Sequence, residues 1–227
     1  MSTAAAYIDK ATGGRLDILI NNAAVFSQMP LLDVNLQEAR EVFEANVFGV
    51  LAVTQAFLPL LAAATALEGS GPGMVVNVSS LSAFMCPPFQ GIYAASKAAL
   101  VALGHTMRVE FAPFNIRVVT IVSGGVDTTM KALPAKVPED SSYSPLRNSI
   151  EGNELSKKYK AMPPAEYARQ VIDDLLLPPR GPKPMLWKGA FAWLAWVLTW
   201  FGWIGMMDGN QIRRSGLSGI AYHQKKN

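Results

Sequence analysis

Three short apolar runs, separated by long segments of helical character, place the strongest limit on how this chain can fold. They cover residues 16–20, 74–78 and 116–122, and each is followed by small polar residues. Short apolar runs that alternate with helical segments are typical of buried strands in a parallel sheet covered by helices on both faces. The sequence therefore predicts an α/β fold of three layers, with the parallel sheet in the middle.

The helices are predicted from their start signals. Asn35, followed by Glu38 three positions later, has the form of a capping box and begins a long helix that continues through Leu61. A second helix is expected from about residue 91 to 112, and a third from 165 to 177, with proline at its first turn. These helices lie between the predicted strands, as an α/β fold requires.

The pattern divides the chain into three parts. Residues 1–130 hold the core of strands and helices. From Thr128 to Met162 the periodicity gives way to Pro, Ser, Lys and Glu, so residues 131–184 are predicted to form a lid followed by the last core helix. Residues 185–227 begin with a possible short strand, 185–187, and continue as an apolar tail rich in tryptophan.

Composition restricts the class of protein further. Half of the 227 residues are hydrophobic, 16% are charged and the formal net charge is +3, which excludes a disordered chain and argues against a nucleic-acid partner. Cys86 is the single cysteine, so a reducing compartment is expected. His105 and His223 have no zinc-ligand spacing, so we expect no metal site. The first ten residues lack the features of a signal peptide.

Polar residues follow each predicted strand, at the edge where open parallel sheets bind their ligands. Asn21-Asn22 follows the first strand, Ser79-Ser80 the second, and the segment from Ser123 to Thr128 the third. Taken singly, Asn21-Asn22 and Ser79-Ser80 are also the residues of ordinary turns.

Tyr93 and Lys97 lie four positions apart near the start of the helix after the second strand, so they share one helical face. At about 4 Å and an effective dielectric constant of about 20, their interaction is worth about 4 kcal/mol, or roughly 3 pK units. This predicts a Tyr93 pKa lowered towards neutrality and a role as an acid–base group, with Ser80 placed to bond a carbonyl held against the phenol. The alternative is an ordinary pair on a helix surface, because Tyr-x-x-x-Lys also arises by chance.

Together these residues resemble the short-chain dehydrogenase/reductase family, in order and in spacing. The matching motifs are Asn21-Asn22-Ala23-Ala24, Asn46, Ser80, Tyr93-Ala-Ala-Ser-Lys97 and Ser123-Gly124-Gly125-Val126-Asp127-Thr128. One departure is Ser123-Gly124, where the family usually has Pro-Gly. The family's opening strand, its glycine-rich phosphate loop and its residue that selects NAD or NADP are not in the sequence. The resemblance therefore implies a partial Rossmann-like core, an exposed edge on strand 16–20, and weak NADPH binding by these 227 residues.

The resemblance also implies a role for each matching residue. Tyr93 would exchange a proton with the substrate oxygen, and Lys97 would lower the Tyr93 pKa and bind the nicotinamide ribose. Ser80 would hold the substrate oxygen, while Asn46 would position a water in a proton relay to Lys97. The implied cofactor is NADPH, and the residues implied to contact it are Asn22, Ala23, Ala24, Tyr93, Lys97, Gly124, Gly125, Val126 and Thr128.

The tail has its own pattern. All five tryptophans lie between residues 187 and 203, and Gly189 to Met207 carries no charge. Four of the tryptophans share one helical face, and cations flank the run; these residues are Trp193, Trp196, Trp200, Trp203, Arg180, Lys183, Lys188, Arg213 and Arg214. Indoles favour the headgroup boundary, so the pattern predicts an interfacial or re-entrant membrane anchor rather than a full span. The alternative is a buried C-terminal helix or a dimer contact.

The tail, together with residues 162–171, is similar to a fungal branch of the family that reduces 1-acyldihydroxyacetone phosphate with NADPH at the endoplasmic reticulum and lipid droplets. That similarity implies a lipid-like substrate, a membrane or lipid-droplet surface as partner, and allows a homodimer. Lys131, Lys136 and Arg147 are predicted either to meet a substrate phosphate or to form a solvated loop face. Two alternatives remain open: reduction of another apolar ketone, sterol or secondary metabolite, and a catalytically inactive membrane-associated homologue.

Overall fold

The computed structural model describes residues 3–66, 71–130, 132–152, 160–176, 181–202 and 205–221, and these contain a parallel sheet with strand order β1-β2-β3-β4. The strands are β1 (Ile18–Asn21), β2 (Gly73–Ser80), β3 (Ile116–Ser123) and β4 (Met185–Lys188). The four predicted strands are confirmed. The first begins two residues later than its apolar run, and the Leu16 amide donates to the Leu60 carbonyl oxygen at 3.1 Å.

The helices follow the predicted order. The long predicted helix is α2 (Leu36–Phe43), which continues through a π-helical turn, Glu44–Phe48, into α3 (Gly49–Thr65). Asn35 caps α2 as expected, since its side chain accepts a hydrogen bond from the Gln37 amide at 2.7 Å. The remaining helices are α1 (Thr3–Thr12), α4 (Ser82–Met85), α5 (Gly91–Glu110), α6 (Arg147–Glu151), α7 (Pro164–Leu176), α8 (Ala192–Phe201) and α9 (Asp208–Ser215).

Helices cover both faces of the sheet, so the predicted three-layer architecture is confirmed. On one face, Leu61 of α3 and Met107 of α5 pack against Val75 and Val118. On the opposite face, apolar side chains of α7 pack against alternate residues of the same strands; this cluster includes Val171, Leu175, Val76, Val119 and Ile121. Alternation along each strand thus divides its apolar side chains between two cores.

The first strand lies at an edge of the sheet. In the described part of the chain β1 pairs with β2 alone, and the side chain of Ile20 is half exposed. Among the described residues, β1 is therefore an edge strand of the sheet, as predicted.

The predicted lid is packed onto the core within its described range, 132–152. The Leu133 amide donates to the Phe26 carbonyl oxygen at 2.9 Å. Val137 and Ile150 are buried in a third apolar cluster that also contains residues from the segments that follow β1 and β2, Met29 and Phe89. This segment is thereby held over the carboxyl edge of the sheet.

The C-terminal region begins with β4, which is hydrogen-bonded to β3, so residues 185–188 belong to the sheet and the apolar tail follows them. Helix α8 has ten residues, a length of about 15 Å, whereas a bilayer core is about 30 Å thick. One described helix, Leu36–Thr65, is long and apolar enough to cross a membrane, and it packs against the sheet through α3. Trp203, Arg180, Lys131 and His223 lie outside the described residues.

Candidate active site at the carboxyl edge of the sheet

The fold brings the central members of the predicted site together where β2 ends and α5 begins. Ser80 is the last residue of β2, and Tyr93 and Lys97 occupy the first turns of α5. All three side chains are buried, so they meet in a region from which water is largely excluded. The pairing of Tyr93 and Lys97 as a solvated helix-surface contact is therefore wrong.

Ser80 orients the phenol of Tyr93. Its hydroxyl oxygen accepts a hydrogen bond from the Ser82 amide at 3.1 Å and is also hydrogen-bonded to the Tyr93 side chain. Tyr93 is 6% exposed, and the edge of its ring packs against Phe26 with 5.0 Å between ring centroids. Burial raises the pKa of Tyr93, and the hydrogen bond from Ser80 opposes that shift only in part.

Lys97 is held by the backbone of β2. Its ammonium donates to the Val78 carbonyl oxygen at 2.8 Å and lies 5.9 Å from the centre of the Tyr93 ring. Burial lowers the pKa of Lys97 to about 8. The prediction that the Tyr93 pKa is lowered towards neutrality is wrong for this structure, because burial of the phenol raises it.

Asn46 lies in the π-helical turn between α2 and α3 and is fully buried. Its amide oxygen accepts from the Val25 amide at 2.8 Å, and its amide nitrogen donates to the Val25 carbonyl oxygen at 2.9 Å and to the Ser96 hydroxyl at 3.0 Å. The Ser96 hydroxyl in turn donates to the Tyr93 carbonyl oxygen at 2.7 Å. Both amide protons are thus used to tie the segment after β1 to α5, and the water relay predicted at Asn46 stays a prediction.

The residues after β1 lie apart from this buried group. Asn22 and Ala23 are exposed and Ala24 is half-buried, which suits the predicted contact with the outer part of a cofactor. Asn21, for which the sequence predicted no individual role, is buried and bridges three elements. Its amide nitrogen donates to Thr54 at 3.1 Å and to Asn77 at 2.9 Å, so it fixes β1 to α3 and β2. The signal available in the sequence was an asparagine within each of two apolar strands, Asn21 in β1 and Asn77 in β2.

The segment after β3 is shaped by contacts between backbones. The Gly124 amide donates to the Lys188 carbonyl oxygen at 2.7 Å, and Gly125 exchanges two hydrogen bonds of 3.1 Å with Ala190. A Cβ at residue 124 would lie 2.0 Å from the Ala190 carbonyl oxygen, so only glycine fits there. Val126 is half-buried and Thr128 is exposed, which places them at the open side of the segment.

The remaining candidate residues are distributed around the lid. Lys136 is exposed, whereas the guanidinium of Arg147 faces the Glu151 carboxylate at 4.0 Å. The described residues contain no cluster of three or more His, Cys, Asp or Glu able to hold a metal ion.

The C-terminal segment contacts α4, the short helix that follows Ser80. Phe84 packs against Trp187 with 5.0 Å between ring centroids, and the Gln211 side chain donates to the Met85 carbonyl oxygen at 2.9 Å. The tail is therefore adjacent to the candidate site.

The arrangement defines a site of one kind: a buried tyrosine, bonded to a serine and followed one turn later by a buried lysine, at the carboxyl edge of a parallel sheet. The model of the short chain dehydrogenase family matches residues 1–136. The chain belongs to the short chain dehydrogenase family.

Several known proteins are similar to this chain. A short-chain dehydrogenase of Penicillium crustosum, PC-15, is 38% identical over 177 residues, which are 78% of this chain and 63% of that protein. The NADPH-dependent 1-acyldihydroxyacetone phosphate reductase of Schizosaccharomyces pombe is 37% identical over 149 residues, 63% of this chain and 48% of that protein. The crystal structure of a short-chain dehydrogenase from Streptomyces avermitilis has a TM-score of 0.67 and 25% identity, covering 95% of this chain and 72% of its own. The chain thus spans less than two thirds of the length of the Penicillium crustosum and Schizosaccharomyces pombe relatives.

Proposed function

We propose that this chain carries the proton-transfer machinery of an NADPH-dependent oxidoreductase that interconverts a carbonyl and an alcohol. The observation that carries the proposal is the hydrogen bond between Ser80 and the buried phenol of Tyr93, with the buried ammonium of Lys97 one turn further along α5. When bound, the nicotinamide supplies the hydride, and the protein supplies position and a proton.

Tyr93 is suited to act as the acid in carbonyl reduction. Because burial raises its pKa, the phenol keeps its proton at neutral pH and can donate it to a substrate oxygen. Ser80 is placed to share that oxygen, since its own oxygen is already oriented by the Ser82 amide. Ser80 orients the substrate oxygen and Tyr93 donates the proton. The substitutions Ser80→Ala and Tyr93→Phe test these two contributions separately.

The ammonium of Lys97 is suited to bind the ribose of the cofactor, because it is a hydrogen-bond donor. One of its three protons is donated to Val78, and the others are available to ribose hydroxyls. Asn22, Ala23 and Ala24 would lie towards the adenosine, and Gly124, Gly125, Val126 and Thr128 towards the nicotinamide. The exposed or half-buried positions of Asn22, Val126 and Thr128 are compatible with these contacts.

The proposed substrate is 1-acyldihydroxyacetone phosphate, in lipid biosynthesis. Support comes from the Schizosaccharomyces pombe relative, an NADPH-dependent reductase of that substrate, which also favours NADPH over NADH. Of the two described candidates for a substrate phosphate, Lys136 and Arg147, the exposed Lys136 is the better one, because Arg147 faces Glu151.

The test is a cofactor-oxidation assay with the full chain. NADPH oxidation is followed at matched concentrations of 1-acyldihydroxyacetone phosphate and of apolar ketones without phosphate, with Tyr93→Phe as the matched control. The proposal is supported if the unmodified chain turns over the phosphate substrate and Tyr93→Phe does not. Turnover of the other ketones alone would select a different substrate, and an absence of NADPH binding in a fluorescence titration would favour the inactive homologue.

We further propose that the protein binds the cytosolic face of the endoplasmic reticulum or of lipid droplets. The aromatic face of α8, defined by Trp193, Trp196, Trp200 and Phe201, is exposed, with Trp200 at 70% and Phe201 at 77%. Exposed aromatic residues beside cations favour an interfacial position over a buried helix. Lys183 and Arg213 are exposed cations that flank this face in the sequence.

A flotation assay with phosphatidylcholine–phosphatidylserine vesicles tests the association, together with the blue shift of tryptophan fluorescence on vesicle addition. A chain that stays at the bottom of the gradient with unchanged emission would contradict it. The homodimer stays a prediction. A measurement of the molecular mass in solution, without vesicles, would test it.

A further inference from the structure

Two serine–tyrosine pairs lie side by side at the carboxyl edge of the sheet. Ser80 on β2 and Ser123 on β3 are register partners, and Ser80 is bonded to Tyr93 of α5. Ser123 is bonded through its hydroxyl to the phenol of Tyr167 on α7. The proposed reaction uses the first pair and assigns nothing to the second.

Ser123 is the residue from which the Gly124–Thr128 segment leaves the sheet. Its carbonyl oxygen accepts from the Leu81 amide at 2.9 Å, and the next amide, that of Gly124, donates to Lys188 at 2.7 Å. The backbone at this point is therefore bonded to the segments that flank β3 on either side. A shift of Ser123 would move the start of the segment that faces the proposed nicotinamide site.

Tyr167 provides a fixed point for this serine. Its ring packs against the apolar cluster formed by α7 and the sheet, while its hydroxyl reaches Ser123. Serine leaves its φ angle free, unlike proline, so a hydrogen bond to a packed ring supplies a restraint that the serine backbone itself lacks.

We propose that Tyr167 is a positioning residue that acts through Ser123 to hold the Gly124–Thr128 segment in place for the cofactor. The inference rests on the proposed function, because that segment is assigned to the nicotinamide side. It predicts that loss of the Tyr167 hydroxyl weakens NADPH binding, while the proton donor Tyr93 is left untouched.

The variants separate this role from simple packing. Tyr167→Phe keeps the ring in the apolar cluster and removes only the hydroxyl, and Ser123→Ala removes the other half of the hydrogen bond. Ser123→Thr retains a hydroxyl and is the conservative rescue. Tyr7→Phe, on an exposed tyrosine of α1, is the matched control.

The first measurement needs no cofactor. Amide hydrogen exchange at Gly124 and Gly125 is compared in the full chain and its variants under native conditions. Loss of one hydrogen bond is expected to accelerate exchange about fivefold in Tyr167→Phe and Ser123→Ala, with no change in Ser123→Thr or Tyr7→Phe. Equal exchange in Tyr167→Phe and the unmodified chain would overturn the proposal.

The second measurement is the NADPH Kd by fluorescence titration. We expect about a fivefold increase in Tyr167→Phe and in Ser123→Ala, no further increase in the double variant, and an unchanged pH profile of kcat. Faster exchange with an unchanged Kd would also overturn the positioning role. If the unmodified chain binds no NADPH, the proposed function fails by that result, and the exchange comparison alone decides whether Tyr167 holds the segment.

Discussion

The carboxyl edge of the sheet and the C-terminal apolar segment have opposite relations to water. At the edge, the buried polar groups of Asn46, Ser80 and Lys97 have hydrogen-bond partners within the fold. On α8, by contrast, Trp193 and Trp200 are about 70% exposed, although their apolar surface is costly to leave in water. The difference teaches that the polar groups of the first region are satisfied inside the molecule, whereas the second region leaves apolar surface in water, where the proposed membrane association would cover it.

The largest effect is expected where the proton donor is removed. Tyr93→Phe should lower turnover about 100-fold or more, because a lost acid–base group is worth roughly that much. Ser80→Ala should lower turnover less, since it removes orientation and leaves the donor. Steady-state kinetics give both values, and vesicle binding should stay unchanged in both variants. Near-full carbonyl reduction by Tyr93→Phe would disprove its assignment.

The next prediction tests whether stability depends on the hydrogen bonds of the buried polar groups at the edge of the sheet. Asn46→Ala should lower the free energy of unfolding by about 2 kcal/mol, because it leaves the backbone groups of Val25 and the Ser96 hydroxyl without their partner. Asn22→Ala, at an exposed asparagine, should change stability by less than about 0.5 kcal/mol. Denaturant unfolding compares the two variants, and an equal loss in both would show that the pairing at Asn46 is not special.

The third prediction concerns the exposed region. Replacing Trp193, Trp200 and Phe201 by glutamine should lower the vesicle partition coefficient about tenfold or more, while carbonyl reduction in detergent-free buffer is retained. The matched control replaces three similarly exposed apolar residues elsewhere, which are Leu31, Leu32 and Leu36. If both triple variants lose vesicle binding equally, vesicle binding is not specific to the aromatic face of α8. Truncation at residue 184 is unsuitable because it removes β4 from the sheet.

The smallest effect comes from the titration of Lys97. Its pKa is lowered to about 8 by burial, so the ammonium is present below that pH and is lost above it. If this charge assists proton donation by Tyr93, by stabilising the phenolate that is left, the reduction rate at saturating substrate should fall by half near pH 8 and continue to fall towards pH 9. Burial raises the pKa of Tyr93 from its ordinary value, so the phenol titrates further from this window. A flat rate between pH 7 and 9 would show that the Lys97 charge is not needed.

Much of the fold could be predicted because short apolar runs and capping signals are local. The strands of the sheet, the cap at Asn35 and the three-layer arrangement all follow from periodicity and from the need to bury two faces of a sheet. The π-helical turn at Glu44–Phe48 could not be predicted, because the segment continues the helical pattern of its neighbours, and only the tertiary structure shows that Asn46 in this turn reaches Val25 and Ser96.

The grouping of Ser80, Tyr93 and Lys97 was also determined by the sequence, since strand order and helical spacing bring them to one edge. The protonation of that group was decided by the tertiary structure alone. Spacing on a helix gives the distance between two charges but not the water removed from around them, and here burial raises the pKa of Tyr93 despite the nearby lysine. In the same way, the sequence gives the order of Ser123 and Tyr167, 44 positions apart, and only the packing of α7 on the sheet joins their hydroxyls.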